Sequence, residues 1–232
     1  MNLRVAAIIP AYNEETRITR VLEAVTSSSA ISEIWVVDDG SGDRTYQEAS
    51  AVPGVKALRL RENLGKGAAM MAGALQTNVD ALLFLDADLS GLTPNHIADL
   101  VEPVVSGRAD MTVGVFRGGR FLTDLAQKLA PHISGQRCML RSSFLEASHV
   151  SELRYGVEMA LYRHAQVQQL RIESVTLLGV THPMKEEKIG YIRGTIARIH
   201  MYVEVIGGSL APTIEARRQT ITRLLRETFG TR

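Results

Sequence analysis

Three short apolar runs, Val5–Ile9, Ile34–Val37 and Leu82–Leu85, and a further strand-like segment, Val55–Leu60, are separated by segments with helical spacing or helix-start signals. This alternation limits the folds open to the chain more than any other feature. Runs of four or five apolar residues, too short for helices, read as strands buried on both faces. The first is stopped by Pro10. Asn13 is expected to cap the helix that follows, with Glu14 and Glu15 in its first turn and Ile18, Val21, Leu22 and Val25 at helical spacing. Gly40-Ser41-Gly42-Asp43 reads as a turn leading to a short helix that ends near Ala51. Gly65-Lys66-Gly67 opens a helix bearing Met70, Met71, Ala74 and Leu75. Thr93-Pro94 starts another, and Asp110–Phe116 is a fifth strand. Strict β/α alternation predicts an α/β fold, with a mostly parallel central sheet and helices on both faces.

Ligands of such sheets bind at the carboxyl ends of the strands. Acidic clusters fall at three of these ends: Asn13-Glu14, Asp38-Asp39 and Asp86-Ala87-Asp88. In extended chain, residues i and i+2 point the same way. Asp86 and Asp88 are therefore expected to face one side, and a hard divalent cation such as Mg²⁺ or Mn²⁺ relieves their repulsion.

Composition sets bounds on function. A net charge of +1 on 232 residues argues against a nucleic-acid partner attracted by bulk charge. The single cysteine, Cys138, leaves no internal disulfide or cysteine zinc cluster, which suits a reducing cytoplasm. The first residues lack signal-peptide anatomy, and no run approaches the roughly 18 apolar residues of a spanning helix. The expected location is cytoplasmic, at most peripheral at the inner face of the membrane.

After residue 117 the pattern loosens. Arg117-Gly118-Gly119-Arg120 reads as a basic turn and 121–131 as helical. Tyr155–Gln168 reads as a helix and Leu170–Val180 as a strand. Ile189–Ile206 and Ile214–Phe229 read as two helices split by Gly207-Gly208. The division expected is a catalytic domain over 1–188 and a helical extension over 189–232. Residues 185–232 carry nine Lys/Arg against five Asp/Glu, and Ile192, Ile196, Ile199, Val203 and Ile206 form a stripe. Packing on the domain or homodimerisation stands first for this extension, and contact with an anionic membrane second.

Pro10-Ala11-Tyr12-Asn13-Glu14-Glu15, Val36-Val37-Asp38-Asp39-Gly40-Ser41-Gly42-Asp43-Arg44-Thr45, Asn63-Leu64-Gly65-Lys66-Gly67 and Asp86-Ala87-Asp88 follow one another at plausible spacing across residues 5–116. Together they resemble family 2 glycosyltransferases, and within them the polyprenyl-phosphate (dolichyl-phosphate) sugar transferases. The resemblance implies a Rossmann-like GT-A fold, a nucleotide diphosphate sugar donor and a divalent metal, Mg²⁺ or Mn²⁺. It implies a nucleoside pocket lined by Pro10, Ala11, Tyr12 and Glu14. It places Asp38 on the base with Asp39 nearby, Gly65 and Lys66 near the phosphates, Asp86 at the ribose or sugar with Ala87 beside it, and Asp88 on the metal. Helix-start backbone donors at Lys66 suit an anion.

In the second half, Gly156-Val157-Glu158 resembles the family's acidic catalytic motif at a helix start, making Glu158 the candidate base. An acceptor that is already a phosphate anion needs no strong base. His182, in the loop after a late strand, resembles the third metal ligand of glucosyl-phosphoglycerate synthases. Lys185 and Lys188 are candidates to close over the diphosphate. Gly135-Gln136-Arg137 with Arg141 resembles an acceptor-side segment, where arginine suits phosphate.

The activity expected is transfer of a hexose to a hydroxyl or phosphate acceptor, such as a polyprenyl phosphate, a lipid or a small phosphorylated metabolite. UDP-glucose is the first donor expected and GDP-mannose the second. Inversion at the anomeric carbon is the family expectation, with retention open through the likeness to the synthases. The competing readings are a nucleotidyltransferase, which usually has a glycine-rich loop after its first strand, and a non-catalytic nucleotide-binding module.

Overall fold

The computed structural model describes residues 3–117, 134–153 and 156–181. The helices expected over 121–131, 189–206 and 214–229 lie outside these residues. In chain order the elements are β1 (Val5–Ala11), α1 (Ile18–Thr26), β2 (Glu33–Asp38), α2 (Thr45–Ser50), β3 (Val55–Arg59), α3 (Lys66–Leu75), β4 (Ala81–Phe84) and α4 (Pro94–Val105). There follow β5 (Met111–Arg117), β6 (Arg137–Leu140), α5 (Arg141–Glu146), a 3₁₀ turn (Ser148–Glu152), α6 (Val157–Val167) and β7 (Ile172–Leu178). They form an α/β fold around one seven-stranded sheet of order β3-β2-β1-β4-β6-β5-β7.

The elements expected within the described residues are present, and the parallel sheet has one exception. β6 runs antiparallel to both β4 and β5, while β1, β2, β3 and β4 pair in parallel and β5 pairs in parallel with β7. The sequence pattern does not announce Arg137–Leu140 as a strand. Four residues beginning with a charge carry no readable period, yet Cys138 and Met139 are fully buried between two neighbours.

The alternation of β1 and β4 divides the core. Val5, Ala7, Ile9, Leu83 and Leu85 join Ile18, Val21, Leu22, Ile97, Leu100 and Val104 on the face covered by α1 and α4. Ala6, Ile8, Leu82 and Phe84 join Met70, Met71, Phe144 and Leu161 on the other. Burial on both faces is why these strands read as unbroken apolar runs. Helix α3 sits close to the sheet because its residues are small: a β-carbon at Gly73 would stand 2.6 Å from Ile8 Cγ2. Helix α4 begins as expected, with Pro94 in its first turn and the Thr93 hydroxyl accepting from the His96 amide at 3.4 Å. No described helix is long and apolar enough to cross a membrane.

Candidate active site

The loops after β1 and β2 are sewn together. The Asn13 amide donates to Ser41 Oγ at 2.9 Å, and its side-chain oxygen accepts from the Gly42 amide at 2.9 Å. The Glu14 amide donates to Thr45 Oγ1 at 2.8 Å. Asn13 takes a left-handed backbone, φ 55°, and does not cap α1. The helix begins at Ile18, whose amide donates to the Glu14 carbonyl at 2.9 Å. The expected cap is thus corrected: the Asn13 side chain serves the neighbouring loop. Glu14 is buried, with Arg17 donating to its Oε2 at 3.2 Å. Ala11 is buried and Pro10 partly so, while Tyr12 is 48% exposed at the rim.

The two acids after β2 have distinct surroundings. Asp38 is fully buried. Its Oδ1 accepts from the Ser41 amide at 3.1 Å. Its Oδ2 stands 3.2 Å from Arg59 Nε but has no hydrogen bond. Asp39 spreads both oxygens over the next loop: Oδ1 accepts from Leu64 N–H at 2.8 Å and Oδ2 from Gly65 N–H at 2.9 Å. Asp39 therefore sets the path of the backbone into α3, and that path presents Lys66. Gly65 enters the helix at φ 100°, open to glycine and strained for other residues.

Lys66 reaches two carboxylates. Its Nζ lies 2.6 Å from Asp86 Oδ1 and 2.6 Å from Glu158 Oε1. Burial pulls the ammonium toward its neutral form, but the two acids outweigh it and hold Lys66 charged well above the ordinary lysine range. Burial pushes Glu158 toward protonation. Lys66, aided by Arg137, overcomes this and leaves the carboxyl below its usual range. Glu158 lies in the first turn of α6, after Gly156 at φ 74°. Helix α3 is tied to that region, since the Gly67 amide donates to the Leu153 carbonyl at 3.1 Å.

Reversal of β6 delivers a second side of the site. Arg137 pairs with Phe84 at the carboxyl end of β4, so Ser134-Gly135-Gln136 lies beside Asp86. Gln136 Nε2 donates to Asp86 Oδ2 at 2.7 Å, and Ser134 Oγ donates to Gln136 Oε1 at 2.8 Å. Arg137 is 1% exposed; its guanidinium donates to the carbonyls of Glu158 and Ser134. It therefore braces the site from beneath, unlike the open phosphate contact expected of it. No sequence signal places Gln136 and Ser134 beside Asp86, because only an antiparallel strand brings them to this edge. Arg141 is corrected as well. It follows the far end of β6, where Leu140 pairs with Ala81, and its Nε donates to the Ala74 carbonyl at 3.1 Å. Four strand residues put it roughly 13 Å from the Arg137 end.

Asp86 and Asp88 are not carried on extended chain. β4 ends at Phe84, and Ala87-Asp88 is a turn, so the same-side argument does not describe them. Asp86 is engaged with Lys66 and Gln136, and Asp88 is half-buried in the turn two residues on. Among the described residues no three metal-binding side chains converge. The chain after β7 returns to this turn: Ser90 and Thr181 exchange backbone hydrogen bonds of 2.8 and 3.0 Å. His182, the residue after Thr181, lies outside the described residues, as do Lys185 and Lys188. A carboxylate with an imidazole is a donor set that suits Mn²⁺.

Residues 6–149 match the family model for glycosyl transferase family 2. The chain belongs to that family. Among curated relatives, this family 2 glycosyltransferase is 35% identical over 159 residues to the undecaprenyl-phosphate 4-deoxy-4-formamido-L-arabinose transferase of Aeromonas hydrophila, covering 60% of this chain and 48% of that one. It is 38% identical over 168 residues to the enzyme of the same name from Pectobacterium carotovorum, covering 68% and 48%. The chain thus spans about half the length of the curated relatives it matches. Among solved structures, it is similar to glucosyl-3-phosphoglycerate synthase from Mycobacterium tuberculosis in complex with Mn²⁺, UDP and glucosyl-3-phosphoglycerate. That match has a TM-score of 0.62 and 26% identity, and covers 84% of this chain and 80% of that one. The same synthase with Mn²⁺, UDP-glucose and phosphoglyceric acid matches at 25% identity and TM-score 0.62, covering 86% and 80%. The residues matched to the family model include Lys66 and Asp86, while Glu158 lies beyond them.

Proposed function

We propose that this glycosyltransferase moves a hexose from a nucleoside diphosphate sugar, UDP-glucose before GDP-mannose, to a phosphate acceptor. The observation that carries the reading is Lys66, held between Asp86 and Glu158 at the carboxyl edge of the sheet. An ammonium kept charged there can exchange a carboxylate for diphosphate oxygens as they gain charge. In the transfer, the bond from the anomeric carbon to the diphosphate oxygen breaks and its electron pair leaves with the nucleotide. A new carbon–oxygen bond forms to the acceptor.

Asp38 supports a uracil base, since its buried Oδ2, without a hydrogen bond, suits an imide N–H. Pro10, Ala11, Tyr12 and Glu14 would line that pocket, Gly65 would lie near the phosphates, and Asp86 with Ala87 would meet the ribose or sugar. Asp88 and His182 would hold Mn²⁺ or Mg²⁺, which when bound neutralises diphosphate charge and favours its departure. The solved complex of the synthase with Mn²⁺, UDP-glucose and phosphoglyceric acid supports this donor and metal.

The acceptor reading rests on Glu158. A carboxylate paired with the Lys66 ammonium at 2.6 Å is a poor base for a hydroxyl while that pair holds. A phosphate acceptor, as in the names of the curated relatives, requires no base. With a hydroxyl acceptor, Glu158 would have to act as the base after Lys66 turns to the donor.

The test is a thermal-shift panel of UDP-glucose, GDP-mannose, UDP and GDP with Mn²⁺, Mg²⁺ or EDTA. It is followed by nucleotide release with a short polyprenyl phosphate or with 3-phosphoglycerate. Metal-dependent stabilisation by UDP-glucose, and UDP release only with the polyprenyl phosphate, is the expected result. Stabilisation without release with either acceptor would favour a binding module, and no stabilisation by any nucleotide would overturn the reading.

A further inference from the structure

Gln136 and Gly135, which both approach Asp86, belong to one tripeptide. Gln136 Nε2 donates to Asp86 Oδ2 at 2.7 Å. The amide cannot be turned around, because an ionised carboxylate only accepts hydrogen bonds. Ser134 enforces the same orientation: its hydroxyl donates to Gln136 Oε1 at 2.8 Å and accepts from the Gln136 amide at 3.3 Å. Between them, a β-carbon at Gly135 would stand 2.4 Å from Asp86 Oδ2 and 2.6 Å from Oδ1. Gln136 and Ser134 are buried, and the Gly114 amide donates to the Gln136 carbonyl at 2.8 Å, which fixes the tripeptide to β5.

We propose that Ser134-Gly135-Gln136 is a positioning element for Asp86, with Gln136 as its acting residue. Lys66 holds one oxygen of Asp86, Gln136 holds the other, and the missing side chain at Gly135 leaves the carboxylate its place. This rests on the reading of Asp86 as the contact to the transferred sugar of the donor. Gln136 acts through Asp86 and selects for the sugar-bearing donor over the bare nucleotide.

The experiment measures affinities for UDP-glucose and UDP, with Mn²⁺, by titration calorimetry on the full chain. Gln136→Met keeps volume and loses the amide; Ser134→Ala keeps Gln136 but frees its orientation. Urea midpoints accompany each variant. The expected result is a loss of at least tenfold for UDP-glucose with Gln136→Met, a smaller loss with Ser134→Ala, and less than twofold for UDP in both. The KM for donor should rise while that for acceptor stays unchanged. Equal losses for UDP and UDP-glucose, or wild-type affinity in Gln136→Met, would overturn the proposal. A wild-type chain that binds neither nucleotide fails the donor reading itself, which distinguishes the two failures. If Gln136→Met does not fold, a loss of threefold or more for UDP-glucose in Ser134→Ala, with less than twofold for UDP, supports the proposal, and anything less for UDP-glucose overturns it.

Discussion

Lys66 and Glu158, 92 residues apart in the chain, meet at 2.6 Å and change each other's proton affinity in opposite directions. Replacing Lys66 with Met leaves Asp86 and Glu158 without that shared cation. The Glu158 titration, followed by carboxyl ¹³C NMR, should move upward. Turnover should fall by about 10²–10³, the scale for loss of one charge-stabilising group.

Gly67 sets how closely α3 approaches the 3₁₀ turn. A β-carbon there would stand 1.9 Å from the Val150 carbonyl oxygen. Gly67→Ala must push backbone apart, so a loss of about 1–3 kcal/mol is expected. A lower urea midpoint at unchanged slope is the signature.

Asp39 bonds two amides of the loop that delivers Lys66. Asp39→Ala leaves both without their acceptor and should cost about 1–3 kcal/mol. Asp39→Asn, which retains one acceptor oxygen, should fall between wild type and Asp39→Ala in urea unfolding.

Arg171 forks onto Asp110, with Nε 3.0 Å from Oδ2 and Nη2 2.8 Å from Oδ1. These bonds hold the Asp110 carboxyl below its usual range. A depressed folded value means the stabilisation is present above the unfolded pKa of about 3.9 and is lost as pH falls through the folded one. Asp110→Asn should therefore lower the urea midpoint at pH 7, and the gap from wild type should close below about pH 4.

Asp88 is expected to carry the cation. Asp88→Ala should abolish stabilisation by UDP that depends on Mn²⁺, and metal-dependent turnover with it, while the fold stays intact by circular dichroism. An unaltered Mn²⁺ effect on UDP binding would refute the assignment.

The parallel half of the sheet is legible in the sequence because β1, β2 and β4 are buried on both faces, which makes each an apolar run. Thr93-Pro94 and Gly65-Lys66 are legible as helix starts for local steric reasons. Asn13 misleads because an Asn followed by two acids is also what a left-handed loop residue looks like, and its partners, Ser41 and Gly42, are almost thirty residues away. Lys66, Asp86 and Glu158 can be named singly, but their closure into one cluster requires the reversed strand. Arg137–Leu140 follows a Ser134-Gly135 turn signal but is too short to show a period or a direction. Arg141 misleads for the same reason, since only the direction of β6 separates its end of the strand from the site.

That reversal also has a modular consequence. β5 ends at Arg117 and β6 starts at Arg137 in antiparallel register, so the chain departs and rejoins the sheet on the same border. The number of residues before Ser134 can change while Arg137 stays opposite both Val113 and Phe84 and Ser134-Gly135-Gln136 keeps its place. The antiparallel register thus holds both ends of that connection whatever its length.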